Sequence, residues 1–573
     1  MKLLPVYRRP IIPILTAGAL FFLAHAPIYS QSDTIQTNVP ALKNVYYHDF
    51  RIGCLLSYRN IGFPDDPYVP GQSAVVTPNG GYLIRFHMNS MSPGNNMKPM
   101  YTVNIAGSAA AYVAAGTPGA KDSVDTHPIV RFNGDIIAQL NWAQRQGFTF
   151  RGHTLVWHNQ TPAEFFRSGY TTSGARLTKD KMTSRMENYI KEVIRLIHEG
   201  WPGLLSAFDV VNEAVTDAGA DRTTESEWYN TFGDNSYIMK AFELTRKYTV
   251  QYGENQIKLY YNDYNTSLPA KADGIVRICS PIFRAGYLDG IGMQEHDANN
   301  SPTADAWIAS YNKFDTVCTE MSVTELDVTT GSATPSAAVL AIQANQYGQL
   351  FKCFVERSYF SGRGKIISVS KDGLNDQYTF KTNQSSSLWD ALNKCKPAFY
   401  AVVGVGLHYN ALDSLIAYAD SLKENAYTPD SWAAFASVLA SARNTRDRNY
   451  TNTVSADTAL GMANDSLQAA LNGLVVTGVA ERGTRVTAFA LGQNYPNPFN
   501  PTTVVSSQVP VASDVRLAVY DLLGREVAVL FNGHRAAGSY RDTFDGSGLA
   551  SGVYIYRLTA GSYVDSRKAL LMK

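Results

Sequence analysis

Two glutamates stand where short apolar runs end. Glu213 closes Phe208-Asp-Val-Val-Asn-Glu213, and Glu325 closes Val323-Thr-Glu325 ahead of Leu326-Asp327. Two carboxyl groups held about 5 to 5.5 Å apart suffice to cleave a glycosidic bond with retention of configuration: one protonates the leaving oxygen while the other attacks the anomeric carbon. Sequence supplies the residue types and not the distance. More than a hundred residues separate the pair, so only a fold that gathers strand ends onto one rim brings them together. Taken singly, a glutamate at a strand end is more often a cap or a solvated charge, and what matters is which elements position the two.

Between about residues 42 and 404, apolar runs recur, each ending in polar residues: Phe148 to Trp157, Phe208 to Glu213, Ile257 to Asn265, Leu288 to His296 and Met321 to Asp327. Runs of this length and continuity read as parallel strands buried on both faces. Helix-period segments such as Met182 to Ile197 and Tyr237 to Tyr248 lie between them, so strand and helix alternate, which predicts an α/β (β/α)8 TIM barrel. A doubly wound sheet is the alternative, but no glycine-rich phosphate loop follows a first strand. In a barrel, functional residues sit where strands give way to loops. Residues 99 to 131 form an irregular stretch.

The composition sets limits. With 573 residues, several domains are required. A hydrophobic fraction of 45% allows buried cores, and a formal net charge of +1 gives no field for nucleic acid. Lys2, Arg8 and Arg9, the apolar stretch Ile11 to Leu23 and the small residues Ala24 and Ala26 read as a signal peptide within 1–30. The thirteen residues of that stretch are too few for a spanning helix of about 20. Five scattered cysteines have no zinc-type spacing and allow one disulfide at most as an isolated staple. No metal and no cofactor is expected.

Five motifs then fall in order: Gly152-His-Thr-Leu-Val-Trp-His158 with Gln160, Asp209-Val-Val-Asn-Glu213, Tyr261-Asn-Asp-Tyr-Asn265, Gly290-Ile-Gly-Met-Gln294 with His296, and Thr324-Glu-Leu-Asp327. Together they resemble glycoside hydrolase family 10, the xylanases, over most of residues 45 to 404. The resemblance implies a retaining endo-1,4-β-xylanase with Glu213 as acid/base and Glu325 as nucleophile. It further implies that Asn212 meets the 2-hydroxyl of the cleaved sugar and that His296 with Asp327 orients Glu325. Asn95, Lys98, His153, Trp157, Gln160 and Gln294 would line the sugar pocket, with Asp209 and Asn262 in support. Asn262 and Asp263 read equally well as residues that hold a loop, since Asn and Asp cap turns. The pattern also departs from the family: Gly94 stands where a sugar-gripping Glu is usual, Asp372 and Phe380 stand at two Trp positions, and Phe208 replaces a Trp. These changes leave two other readings open, a broader β-1,4-glycanase and a non-catalytic surface polysaccharide-binding protein.

Beyond the barrel, apolar residues at helical spacing from Leu412 to Leu471 predict a small three-helix module, 408–475, followed by a linker at 476–490. Residues 491–573 open on Asn494-Tyr-Pro-Asn-Pro-Phe-Asn-Pro501 and continue with alternating Val515, Leu517 and Val519, which indicates an antiparallel β-sandwich. With Tyr520 to Glu526, Ser551 to Tyr554 and the basic end Lys568 to Lys573, this region resembles the C-terminal sorting domain of the type IX secretion system. The resemblance implies export across an outer membrane, to a secreted or surface-attached state, through that machinery. The expected substrate is xylan or a related β-1,4-linked plant polysaccharide, and the expected acting unit is a monomer.

Overall fold

The computed structural model describes residues 35–56, 79–358, 363–447, 456–475 and 488–571, apart from positions 496, 498, 522, 523 and 551. The expected signal peptide and most of the expected linker lie outside the described residues. The chain divides into two compact units, one within Ile28–Ser421 and Ala433–Gly473, the other within Leu422–Trp432 and Leu474–Lys573.

In the first unit the strands are β1 (Arg51–Leu56), β2 (Ser90–Pro93), β3 (Thr149–Trp157), β4 (Leu205–Asn212), β5 (Lys258–Asp263), β6 (Gly290–Met293), β7 (His296–Ala298), β8 (Glu320–Thr329) and β9 (Lys365–Asp372). They pair in parallel in the order β6-β5-β4-β3-β2-β1-β9-β8, and β6 pairs with β8 as well, so eight strands close into a barrel. The short β7 pairs with the far half of β8, His296 opposite Asp327. The apolar runs are strands because almost every residue of β4 and β8 is buried, as a barrel wall covered by helices demands. One run is divided: 288–296 breaks after Met293, because Glu295 turns through a φ of 54° before β7 begins.

The long helix Lys179–Gly200 is capped by Thr178, whose hydroxyl accepts from Lys181 N, and it buries Met186, Tyr189, Val193 and Ile197 at helical spacing. The irregular stretch 99–131 is helical, with Pro99–Thr102, Ile105–Ala114 and Pro118–Thr126. Asn104 and Thr117 cap the latter two. The fully buried Arg185 pairs with Asp125 at 3.2 Å and donates to the Phe165 carbonyl at 2.7 Å, which ties this insertion to the barrel helix.

The boundary expected between 404 and 408 falls inside one helix, Pro397–Ser421, so the last barrel helix continues as the first helix of the three-helix group. The others are Pro429–Asp447 and Ala456–Asn472. Leu412, Ile416, Phe435, Leu439, Leu460 and Leu467 are buried, as their spacing requires. Asn410 Nδ2 donates to the Val45 carbonyl at 3.0 Å, within the barrel's own unit.

The C-terminal region is a pair of antiparallel sheets. One is β10 (Ala490–Leu491), β11 (Thr502–Val509) and β14 (Gly538–Asp545). The other orders β13 (Glu526–Arg535), β12 (Ser513–Tyr520), β15 (Gly552–Ala560) and β16 (Tyr563–Leu571). Val515, Leu517 and Val519 point into a core with Leu491, Phe499, Val505 and Leu571.

Candidate active site

Four successive barrel strands are followed by residues in the left-handed region: Gln160 (φ 46°) after β3, Glu213 (φ 55°) after β4, Asn265 (φ 50°) after β5 and Glu295 (φ 54°) after β6. Such a conformation costs a non-glycine residue about 1 to 3 kcal/mol and persists where the surroundings hold it. At Glu213 they do. Its N–H donates to the Asn262 carbonyl at 2.9 Å, Arg222 Nε donates to its carbonyl at 2.9 Å, and the next N–H, of Ala214, donates to the Tyr261 hydroxyl at 2.9 Å. Ladder irregularities between His153 and Val156, Asp209 and Val211, and Val323 and Leu326 cluster at the same rim, where bulges re-aim side chains.

The Glu213 carboxyl receives three neutral donors: Trp157 Nε1 at 2.9 Å on one oxygen, Gln294 Nε2 at 2.8 Å and Asn212 Nδ2 at 3.2 Å on the other. Glu325 lies across the barrel mouth, and an amide relay joins the two. Asn262 Nδ2 reaches Glu325 Oε1 at 3.2 Å and Asn212 Oδ1 at 2.9 Å, and Asn212 in turn donates to Glu213. Thr324 Oγ1 fixes the orientation of Asn262 by donating to its Oδ1 at 2.8 Å. Gly292 makes room, since a Cβ there would stand 2.3 Å from Asn262 Oδ1. Asn262 is fully buried and hydrogen-bonded to both Asn212 and Glu325.

Glu325 is surrounded by basic side chains. Burial alone would raise its pKa, but the His296 hydrogen bond, His153 and Lys98 outweigh it and hold the group at about 2. His296 Nε2 lies 3.5 Å from Glu325 Oε2, and its Nδ1 lies 2.8 Å from Asp327 Oδ2. Burial works against the imidazolium, yet the two carboxylates raise its pKa to about 10. His153 is held by Asp209 at 3.0 Å, and Asp209 is itself gripped by Arg151. Lys98 Nζ donates to Asn95 Oδ1 at 2.8 Å and lies 4.6 Å from the centre of the Trp157 ring. Burial lowers its pKa, opposed by Glu325, Glu213 and Asp372.

The structure thus gathers Glu213, Glu325, Asn212, Asn262, Gln294, His296, Asp327, His153, Asp209, Lys98 and Trp157 at one barrel mouth. Asn95 joins through Lys98. Gln160 makes no hydrogen bond to either carboxylate; its carbonyl accepts from Met100 N at 2.9 Å. Asp372, at the end of β9, accepts from Thr379 Oγ1 and from Phe380 N at 3.2 Å, and the exposed Phe380 ring meets His296 edge-on with centroids 4.7 Å apart. The loop in place of the usual Trp is thereby organised by a carboxylate. Sequence reading missed Arg151 and Arg222, which look like ordinary surface charges until the fold buries them.

The sequence model described as glycosyl hydrolase family 10 matches residues 70–405, more than half of the chain. The chain belongs to glycosyl hydrolase family 10. Among curated relatives, endo-1,4-β-xylanase Y of Acetivibrio thermocellus is 32% identical over 395 residues, covering 66% of this chain and 33% of that protein. Endo-1,4-β-xylanase A of Halalkalibacterium halodurans is 32% identical over 297 residues, covering 46% of this chain and 70% of that protein. The chain spans about a third of the length of the Acetivibrio relative. Among solved structures, a Clostridium thermocellum endo-1,4-β-D-xylanase 10B fragment complexed with xylohexaose has a TM-score of 0.54 at 31% identity, covering 63% of this chain and 67% of that one. An intracellular xylanase of Thermoanaerobacterium saccharolyticum has a TM-score of 0.52 at 27% identity, covering 64% and 100%. Residues 493–572 of the family 10 chain match a secretion system C-terminal sorting domain, which marks it for export to a secreted or surface-attached state. No helix among the described residues is long and apolar enough to cross a membrane.

Proposed function

We propose that the chain is a monomeric endo-1,4-β-xylanase that cleaves internal bonds of xylan with retention, using Glu325 as nucleophile and Glu213 as acid/base. The observation that carries this reading is the amide relay between two carboxyl groups in unlike surroundings, one among cations and one among neutral donors. An ionised Glu325 attacks the anomeric carbon while the Glu213 carboxyl gives its proton to the leaving oxygen. Water then donates a proton to the Glu213 carboxylate as its oxygen attacks the same carbon and frees Glu325. Asn212 and Gln294 are placed to meet sugar hydroxyls beside the cleaved bond, and contacts that tighten in an oxocarbenium-like transition state raise kcat. His153 and Lys98 extend this polar wall beside Trp157, with Asn95 and Gln160 at its outer edge.

The substrate follows from the relatives, which are named as xylanases, and from the xylohexaose held by one solved structure. The working arrangement is a catalytic barrel over 42–404, a helical group to 475 that grows out of its last helix, and a sandwich over 491–573 engaged by the secretion machinery. A second reading, a broader β-1,4-glycanase, draws on Gly94 and Asp372, which replace bulky or gripping residues with smaller ones. Reducing-sugar release on xylan and on carboxymethylcellulose separates the two. Xylan turnover at least tenfold faster supports the first. Equal rates support the second. Binding of xylan without release of sugar, unaltered in E213Q, leaves only a binding protein.

A further inference from the structure

Two further acids flank His296. Glu295 and Asp297 are both buried, at 3% and 8% exposure, and their carboxyl groups face one another. Glu295 accepts from Trp307 Nε1 at 2.8 Å and from Thr266 Oγ1 at 3.1 Å, while Asp297 Oδ2 has no hydrogen-bond partner among the described residues. Neither acid has a Lys or Arg partner among the described residues. His296, whose charge acts on Glu295, is already shared by Glu325 and Asp327. Tyr311 and Tyr347 also face the pair, and neither supplies positive charge. Two adjacent buried carboxylates without a counter-ion cannot both be ionised, because each destabilises the other's charge in a medium that solvates neither.

We propose that Glu295 and Asp297 share one proton, the acid O–H of one donating to the carboxylate of the other, and that this bond holds the segment on which Gln294 meets Glu213 and His296 meets Glu325. They are positioning residues, and the proposal rests on the two-carboxylate reading of the site. Gln294 is fixed by donation of its N–H to the Asp263 carbonyl at 2.9 Å on one side of Glu295, and His296 begins β7 on the other, so a Glu295 pushed away from Asp297 would displace both. Burial raises the pKa of both acids, in Asp297 with added repulsion from Glu295 and Asp327. A raised folded-state pKa means stability that is complete below the ordinary carboxylate range and is lost as pH rises through the folded value.

Infrared difference spectra of the full chain test the shared proton. At pH 8, where Asp263 and Asp372, each raised to about 6, have ionised, the wild type should retain a carboxylic-acid C=O band that D297N and E295Q each remove. The amide in either variant donates at every pH. The kcat/KM profile on a dinitrophenyl β-xylobioside, whose leaving group needs no proton, should therefore keep its alkaline limb about one pH unit or more above the wild type's, each profile normalised to its own maximum. Melting temperature should also fall less with rising pH in the variants. Absence of the band, or superimposable alkaline limbs, overturns the proposal. If the wild type turns over no xyloside at all, the proposed activity fails, while the band and the melting curves still decide whether the pair holds its proton.

Discussion

The two sides of the barrel mouth treat chemically identical side chains in opposite ways. On the β8 side, Glu325 faces an imidazolium, a second histidine and a lysine, and is held at about 2 despite its burial. On the β4 side, Glu213 faces an indole N–H and two amides, and among the described residues no cationic donor reaches its carboxyl. One environment fixes a permanent anion. The other holds a carboxyl group oriented by neutral donors. Environment rather than residue type separates the two roles.

The comparison is broken most severely by removing the anion. E325Q should lose turnover on the order of 10^4-fold or more, the scale expected when a covalent nucleophile is deleted. Steady-state kinetics on xylan measures this, and a loss below tenfold would contradict the assignment. E213Q should cost about 10^2- to 10^4-fold on xylan and far less on a dinitrophenyl xyloside, because only the poor leaving group needs the proton. Equal losses on the two substrates would mean that Glu213 does not protonate the leaving group.

Replacing His296 tests the cationic side. In H296N the carboxyl of Glu325 should return from about 2 toward the ordinary range near 4.3, so the acid limb of kcat/KM moves up in pH. The same contacts set the stability profile. His296, raised to about 10, contributes stability that is whole below about 6.5 and is lost as pH rises through 10. Glu325, depressed to about 2, contributes stability that is present above about 4.3 and is lost as pH falls through 2. Melting curves of the wild type and H296N should therefore differ most between these limits and converge outside them. The smallest change expected is a gain: G94E, which restores the family's gripping acid, should lower KM on long xylo-oligosaccharides about twelve-fold or more, within the roughly 1.5 to 3 kcal/mol of a charged hydrogen bond.

The strands that carry the carboxylates were legible because a strand buried on both faces is a mostly apolar run, and Phe208, Val210 and Val211 on one strand and Met321 and Val323 on the other supply that pattern around the single polar residues Asp209 and Ser322. Glu213 and Glu325 stood out at the ends of those runs. The role of Asn262 was not legible, since Asn262 in a loop and Asn262 inside a barrel differ only in the register of β5 against β4, where it lies opposite Asn212. Stretch 99–131 hid its helices because Ala, Gly and Ser give no apolar stripe, although Asn104 and Thr117 cap two of them and Pro99 and Pro118 open two. The helix Pro397–Ser421 conceals a module boundary for the opposite reason: its buried apolar residues recur at helical spacing from Phe399 through Val402, Val405, Tyr409 and Leu412 to Ile416. Nothing in the sequence sets Glu295 and Asp297 apart, and only the fold reveals that both are buried.

The central claim is that Glu325 forms the covalent bond. Incubation with a 2-deoxy-2-fluoro aryl xylobioside, followed by peptide mass spectrometry, should place one sugar on the peptide containing Glu325, with loss of activity in step with labelling and no label in E325Q. A label on Glu213 or any other residue, or full turnover with inverted configuration and no adduct, would contradict it.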